Sequence, residues 1–338
     1  MTDPVLVEWR RADFVERAHR GRVAIVGPGG DLVAAIGDVA APMLPRSSCK
    51  IVQAMPMVES GAADAFHLTP QQLAFACASH QGSHAHARLA DTWLGEMGLG
   101  EHDLMCGPQD PGDKATREDL AATGEAPCQL HNNCSGKHTG FLAQAKHIGA
   151  PTDGYIYPSH PVQARVAEAT EALADEPLTH GHAIDGCSAP NFAISLTGLA
   201  HQMAAIANAE TALKGARREA AIRLREAMAA NPFEIAGEGR CCTALIRAGG
   251  GSFVVKTGAE GAFTAILPKL GLGVALKIDD GATEAANAAM TAILVALGAL
   301  QKDDPAVAPW LSPEIRNRRN IVCGVAGPTT ELTALTVA

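Results

Sequence analysis

The sequence predicts a mixed α/β (α+β) fold. One antiparallel sheet is built from both ends of the chain, and a helical lobe is inserted between them. Three observations predict it. Short apolar runs bounded by glycine fill the first 45 residues. Similar runs return after Gly249. Between them, Ala, Leu, Glu and Arg recur at helical spacing. The sheet lobe is expected from residues 1–45 and 250–338, and the helical lobe from 46–249, as a single catalytic unit over 1–338.

Each element has a local reason. "RVAIVGPGGDLVAAIGD" is two apolar runs around "GPGGD", a hairpin signal because glycine permits positive φ in the turn. Ser83–Met97, Pro161–Ala174 and Glu210–Ala230 carry the helical pattern, and His201–Ala209 continues a helix begun at Phe192. "GSFVVKTG", "GAFTAILP" and "GVALKIDD" read as strands, followed by an apolar helix over Ala282–Leu300. "NIVCGVAG" reads as a last strand. Strands at both termini with helices between favour one shared sheet.

Bulk properties exclude several classes. The chain has 338 residues, 47% hydrophobic and only 4% aromatic, so its core is aliphatic. Net charge is −9, from 27 basic and 36 acidic residues, with no long basic stripe. The run Arg316, Arg318, Arg319 is a solvated surface, and nucleic acid is not an expected partner. "MTDPVLVEWRR" has no apolar core of a signal peptide, and Ala288–Leu300 is too short to span a bilayer. These features predict a cytoplasmic protein with no membrane partner. Nine cysteines, an odd count, then read as free thiols.

Four stretches can carry chemistry. "LPRSSCKI" holds Ser47 and Lys50 in S-x-x-K spacing, which places hydroxyl and amine on one helical face. A serine needs a base to become a nucleophile, and lysine serves only where burial and nearby cations lower its pKa from about 10.4. Alone, the stretch reads as an ordinary capping serine before a solvated lysine, since S-x-x-K often occurs by chance. "SFVVKTGAEG" changes that balance. It places Lys256, Thr257 and Gly258 at a strand end, and S-x-x-K with a strand-borne K-T-G is the pairing of penicillin-recognising serine enzymes. Their S-D-N triplet is absent, which argues against a true β-lactamase.

"FACASHQGSHAHARL" offers Ser79 as a second hydroxyl. Its histidines His80, His84 and His86 read as solvated helix residues, since His86 is off the face shared by the other two. "LHNNCSGKHTGF" and "IDGCSAPNF" each set a cysteine beside a serine in a glycine-turn loop. Cys134 and Cys187 can meet and bind a soft metal, zinc above all, with Lys137 or His138 completing the set. Taken by themselves, two isolated cysteines are a weak metal signal and read better as two small buried residues.

Taken together, "PRSSCK", "CASHQG", "HNNCSGKH", "DGCSAPNF" and "KTGAEG" resemble the Rhizobium etli-type L-asparaginases, also grouped as class 3 or the thermolabile L-asparaginase II family. The resemblance covers nearly the whole chain, and "HNNCSGKH" is its most specific part. It implies the fold of serine β-lactamases and glutaminases and hydrolysis of L-asparagine to L-aspartate and ammonia. It implies two Ser-Lys pairs, Ser47 with Lys50 and Ser79 with Lys256. It implies Zn2+ on Cys134, Lys137 and Cys187, with affinity falling at low pH because a lysine ligand must be neutral. Asp185 matches an acidic substrate-holding residue, and Arg46, His138 and Glu260 join it as candidate substrate contacts. A homodimer is also implied. Cys49, inside the S-x-x-K, has no reading. The competing functions are a glutaminase with a longer pocket, a β-lactam-recognising serine enzyme, and a non-catalytic zinc-binding or redox-sensing protein.

Overall fold

The computed structural model describes residues 2–337. The chain forms two compact units. The first joins the stretch up to Ser48, Ile194–Asn208 and the stretch from Ala244 onward; the second joins Cys49–Ala193 and Ala209–Thr243.

The first unit holds the sheet. Its strands are β1 (Val5–Arg11), β2 (Phe14–Val26), β3 (Leu32–Ile36), β4 (Val254–Thr257), β5 (Ala262–Leu267), β6 (Leu272–Ile278), β7 (Glu314–Arg316) and β8 (Val322–Pro328). Their order is β7-β8-β1-β2-β6-β5-β4, with β3 also on β2. Every ladder is antiparallel, and strands from the two chain ends pair directly, Trp9 opposite Ala326 and Ala24 opposite Ala275. The sheet expected from both termini is therefore present. The predicted hairpin is β2–β3, closed by Gly27 N donating to Asp31 O at 2.9 Å, with Gly30 at φ 85°.

All six residues of β5 are buried, so both faces of the sheet centre are covered. The helices Leu196–Ala207 and Thr283–Ala296 pack on it. The first lies against backbone: a Cβ on Gly273 would sit 2.0 Å from Ala204 N. This glycine permits the close approach. Residues 194–208 thus belong to the sheet unit, although the sequence placed them in the helical lobe. Leu199, Met203 and Ile206 of that helix are buried, and the sheet is what buries them.

Two predicted helices are also revised. Residues Pro190–Phe192 pair with His182–Ile184 as a hairpin, and the next helix starts later, at Leu196. Ser195 caps it, accepting from Gly198 N at 2.8 Å. The segment Glu210–Ala230 is broken into Ala209–Ala212 and Gly215–Ala230, with Gly215 at φ 57°.

The second unit is helical, and its centre is two buried helices. Lys50 through Val58 are all buried in the helix Lys50–Glu59, as are Ser135 through Ala145 in Ser135–His147. Gly136 permits the second to enter the core, since a Cβ there would lie 2.2 Å from Phe75 O. Both helices begin at a residue of the candidate site or next to one. Among the described residues, no helix is long and apolar enough to cross a membrane.

Candidate active site

Arg46–Cys49 forms one turn of 3-10 helix before the helix that starts at Lys50. The N-cap of that helix is Cys49, with no side-chain capping bond, so neither serine acts as its cap. Ser48 is fully buried and donates through Oγ to Pro45 O at 2.6 Å. Its own carbonyl accepts from Thr264 Oγ1 at 2.9 Å. Ser47 is only half-buried.

The K-T-G triplet ends β4 beside this turn. A Cβ on Gly258 would lie 2.8 Å from Pro45 O and 3.1 Å from Ser48 N. Glycine is what lets the strand end touch the serine turn. Lys256 Nζ donates to Thr257 O at 2.7 Å. Arg46 and Glu260 both adopt left-handed backbone, φ 53° and 58°, and their side chains approach to 3.9 Å. That conformation costs a non-glycine residue roughly 1–2 kcal/mol, and such strain concentrates at functional sites.

In the helical unit, Lys50 is fully buried. Its Nζ donates to Ala78 O, to Ser79 Oγ at 2.9 Å and to Cys134 Sγ at 3.1 Å. Three acceptors thus surround one buried amine. The hydroxyl that Lys50 holds is that of Ser79, a pairing that the S-x-x-K spacing does not indicate. The Ser79 loop is pinned through its backbone, Ser79 N to Ile235 O at 2.9 Å and Gln81 N to Ala236 O at 3.0 Å.

Cys134 and Cys187 meet, as the sequence allowed. Cys187 sits in the loop of the His182–Phe192 hairpin, where Ser188 has φ 72°. Cys134 opens the helix at Ser135, and Asn132 fastens that start: its side chain donates to Cys106 O and Gly107 O and accepts from Cys134 N. The bond to Cys187 and burial push the Cys134 thiol well above its ordinary range. The same bond, aided by the Lys137 charge against the cost of burial, holds Cys187 well below it. Lys137 Nζ lies 3.0 Å from Cys187 Sγ. Burial works against the Lys137 ammonium, but the two sulfurs outweigh it and its pKa is raised. Asp185 Oδ2 lies 3.6 Å from Cys187 Sγ. Cys49 gains a reading here: it is a buried thiol, pushed by that burial to about 12, and so a neutral filler near the charges of Lys137, Asp185 and Lys50. All nine cysteines are thiols outside any disulfide.

His80 and His86 are not solvated, contrary to expectation. Each is 1% exposed. They stack between Phe75 and Phe233, with successive ring centroids 4.8, 4.6 and 4.7 Å apart. Only His84 is on the surface. The spacing misled because His80 precedes the helix and Phe233 comes from a distant segment. Burial lowers the His86 pKa from 6.5 to about 4. A histidine depressed by folding contributes its full stability above the unfolded value and loses it as pH falls toward the folded one. Between pH 7.5 and 4.5 the protein is expected to lose roughly 2–3 kcal/mol through this group. Urea unfolding of wild type and His86→Gln at both pH values measures it; equal losses in the two proteins would exclude it.

Sequence reading passed over Tyr155, which is fully buried with its hydroxyl 2.7 Å from His138 Nδ1. A signal existed: the chain has only two tyrosines, and a buried tyrosine needs a polar partner.

A serine hydroxyl beside a lysine amine can be activated as a nucleophile where that amine is neutral. The chain belongs to the L-asparaginase II family, whose sequence pattern matches residues 7–327. Among curated proteins none matches the chain. Solved structures similar to it include Mglu in its native form, at 11% identity and TM-score 0.46, covering 85% of this chain and 66% of that one. The chain thus spans about two thirds of the Mglu structure. A putative β-lactamase from Bacteroides dorei is similar at 11% identity and TM-score 0.40, covering 76% of this chain and 84% of that one. A β-lactamase from Mycobacterium bovis is similar at 14% identity and TM-score 0.37, covering 79% and 89%.

Proposed function

We propose that the protein is an L-asparaginase of the Rhizobium etli type, hydrolysing L-asparagine to L-aspartate and ammonia through an acyl-enzyme. The observation that carries this reading is the buried Lys50 amine on the Ser79 hydroxyl, in a chain of this family. Ser47 attacks the side-chain amide carbon, and Lys50 in its neutral form receives the proton. Ser79, on the same amine, returns a proton to the departing ammonia, with Lys256 assisting. Water then hydrolyses the β-aspartyl ester and restores Ser47. Arg46, Asp185 and Glu260 are assigned to substrate. The active form is a cytoplasmic homodimer in this reading.

Zinc is assigned to Cys134, Lys137 and Cys187. Among the described residues no three His, Cys, Asp or Glu side chains are grouped to hold a metal, so the set depends on the lysine amine. The donors fit a soft ion. Two sulfurs stand within hydrogen-bond reach of each other and the amine lies 3.0 Å from one of them, whereas ligands of a tetrahedral zinc stand roughly 3.5 Å apart. When bound, the ion would tie the two cysteine loops together and orient substrate.

Ammonia release from L-asparagine, L-glutamine and a chromogenic β-lactam control tests the function. Turnover is expected on asparagine. Turnover on glutamine alone would make the protein a glutaminase, and turnover on neither would leave a non-catalytic protein.

A further inference from the structure

We propose that His80 is a positioning residue that holds the Ser79 hydroxyl on Lys50, by bracing the Ser79–Gly82 turn against the start of the helix at Ser135. Its consequence for turnover rests on the asparaginase reading; the brace itself does not.

His80 is 1% exposed, and both of its ring nitrogens have protein partners. Gly82 N lies 3.1 Å from Nδ1, and an amide N–H can only donate, so Nδ1 is the acceptor. The ring N–H is then on Nε2, 3.0 Å from Ser135 Oγ. Ser135 is fully buried, and its own proton goes to Leu130 O at 3.1 Å. Its oxygen therefore accepts from the ring. Each donor along Gly82, His80, Ser135 and Leu130 has its acceptor, and every one of these residues lies in the helical unit.

The two ring bonds do different work. The first closes the turn on itself, with Gly82 at φ 65°. A Cβ there would lie 2.4 Å from His131 O, so the turn is pressed against its neighbour. The second bond crosses to another element. With His80 N donating to Asn133 O at 3.3 Å, it ties the turn to the segment Asn133–Ser135. Ser79 N and Gln81 N are held by a different segment, through Ile235 O and Ala236 O. Ser79 is thus fixed from two sides, with its hydroxyl 2.9 Å from Lys50 Nζ. A phenylalanine would also fill the stack between Phe75 and His86, so packing alone does not call for an imidazole. The bonds at both nitrogens do. In this role His80 acts through Ser79 and not on substrate.

The test is a cycle of variants in the full-length protein, read by ammonia release from L-asparagine, with folding checked by thermal melt. His80→Phe keeps a ring in the stack and removes both bonds. It is expected to lower kcat by roughly 10–100-fold, the upper end being the scale of a misplacement of about 1 Å, with KM little changed. In a Ser79→Ala background the same substitution is expected to cost almost nothing more, because a residue that acts through Ser79 has nothing left to position. His80→Gln, whose amide can still donate toward Ser135, is expected to recover most of the loss. Should His80→Phe not fold, Ser135→Ala, which removes the far end of the brace, takes its place in the cycle. Wild-type kcat in the folded variant overturns the proposal, and so does an equal loss with and without the Ser79 hydroxyl. Hydrogen exchange followed by mass spectrometry reads the brace apart from activity: the amides of residues 79–82 are expected to exchange faster in the variant than in wild type. If wild type releases no ammonia from asparagine, the asparaginase reading fails, and the brace stands or falls on that exchange. Equal protection in the two proteins overturns it.

Discussion

Ser47→Ala is expected to lower turnover on L-asparagine by at least roughly two to three orders of magnitude, the scale of losing an activated nucleophile and its base, while Ser48→Ala leaves turnover within a few fold. The two neighbours differ in what their hydroxyls already do. Ser48 is fully buried, and its proton is committed to Pro45 O at 2.6 Å. It is part of the turn, fixed again by Thr264 on its carbonyl. Its loss should appear in stability, at about 1 kcal/mol for one hydrogen bond, and not in chemistry. Ser47 is half-buried in the same turn, which Gly258 of the K-T-G triplet touches. Strained Arg46 precedes it, at φ 53°. Turnover of the two variants decides, with folding checked by thermal melt. A dead Ser48→Ala beside a near-normal Ser47→Ala would reverse the assignment.

What the sequence showed and what it hid follow one physical division. Patterns that depend on neighbours along the chain were legible. The "GPGGD" hairpin, the three strands after Gly249 and the helix Pro161–Ala174 each form where the periodicity put them. The S-x-x-K and K-T-G stretches could be singled out because their chemistry is local. Features set by distant segments were not legible. The helix Leu196–Ala207 joins the sheet unit because Gly273, far along the chain, leaves room for it. His80 and His86 are buried because Phe75 and Phe233 close over their rings. Lys50 reaches the Ser79 hydroxyl because the Ile235 and Ala236 carbonyls anchor the Ser79 loop. No spacing between these residues encodes that reach.

Lys50→Ala is expected to be at least as damaging as Ser47→Ala, by roughly two to three orders of magnitude in turnover. It should also destabilise the fold. Nζ serves Ala78 O, Ser79 Oγ and Cys134 Sγ at once, and Lys50 itself is fully buried. Removing it strips buried Ala78 O and Cys134 Sγ and half-buried Ser79 Oγ of their donor, and a buried orphan costs roughly 1–3 kcal/mol. Lys50→Met fills the same space and so separates lost packing from lost hydrogen bonds. The activity loss should survive in Lys50→Met under conditions where the melt shows it folded. The pairing adds a sharper expectation. Lys50 and Ser79 share one hydrogen bond of 2.9 Å, so they should act as a unit. Turnover of Lys50→Met, Ser79→Ala and the double variant forms a cycle. The double variant is expected to be about as slow as Lys50→Met alone, because groups that work as one are not additive. Losses that multiply in the double variant would mean the lysine and this serine work independently. Normal turnover in folded Lys50→Met would remove lysine from the chemistry altogether.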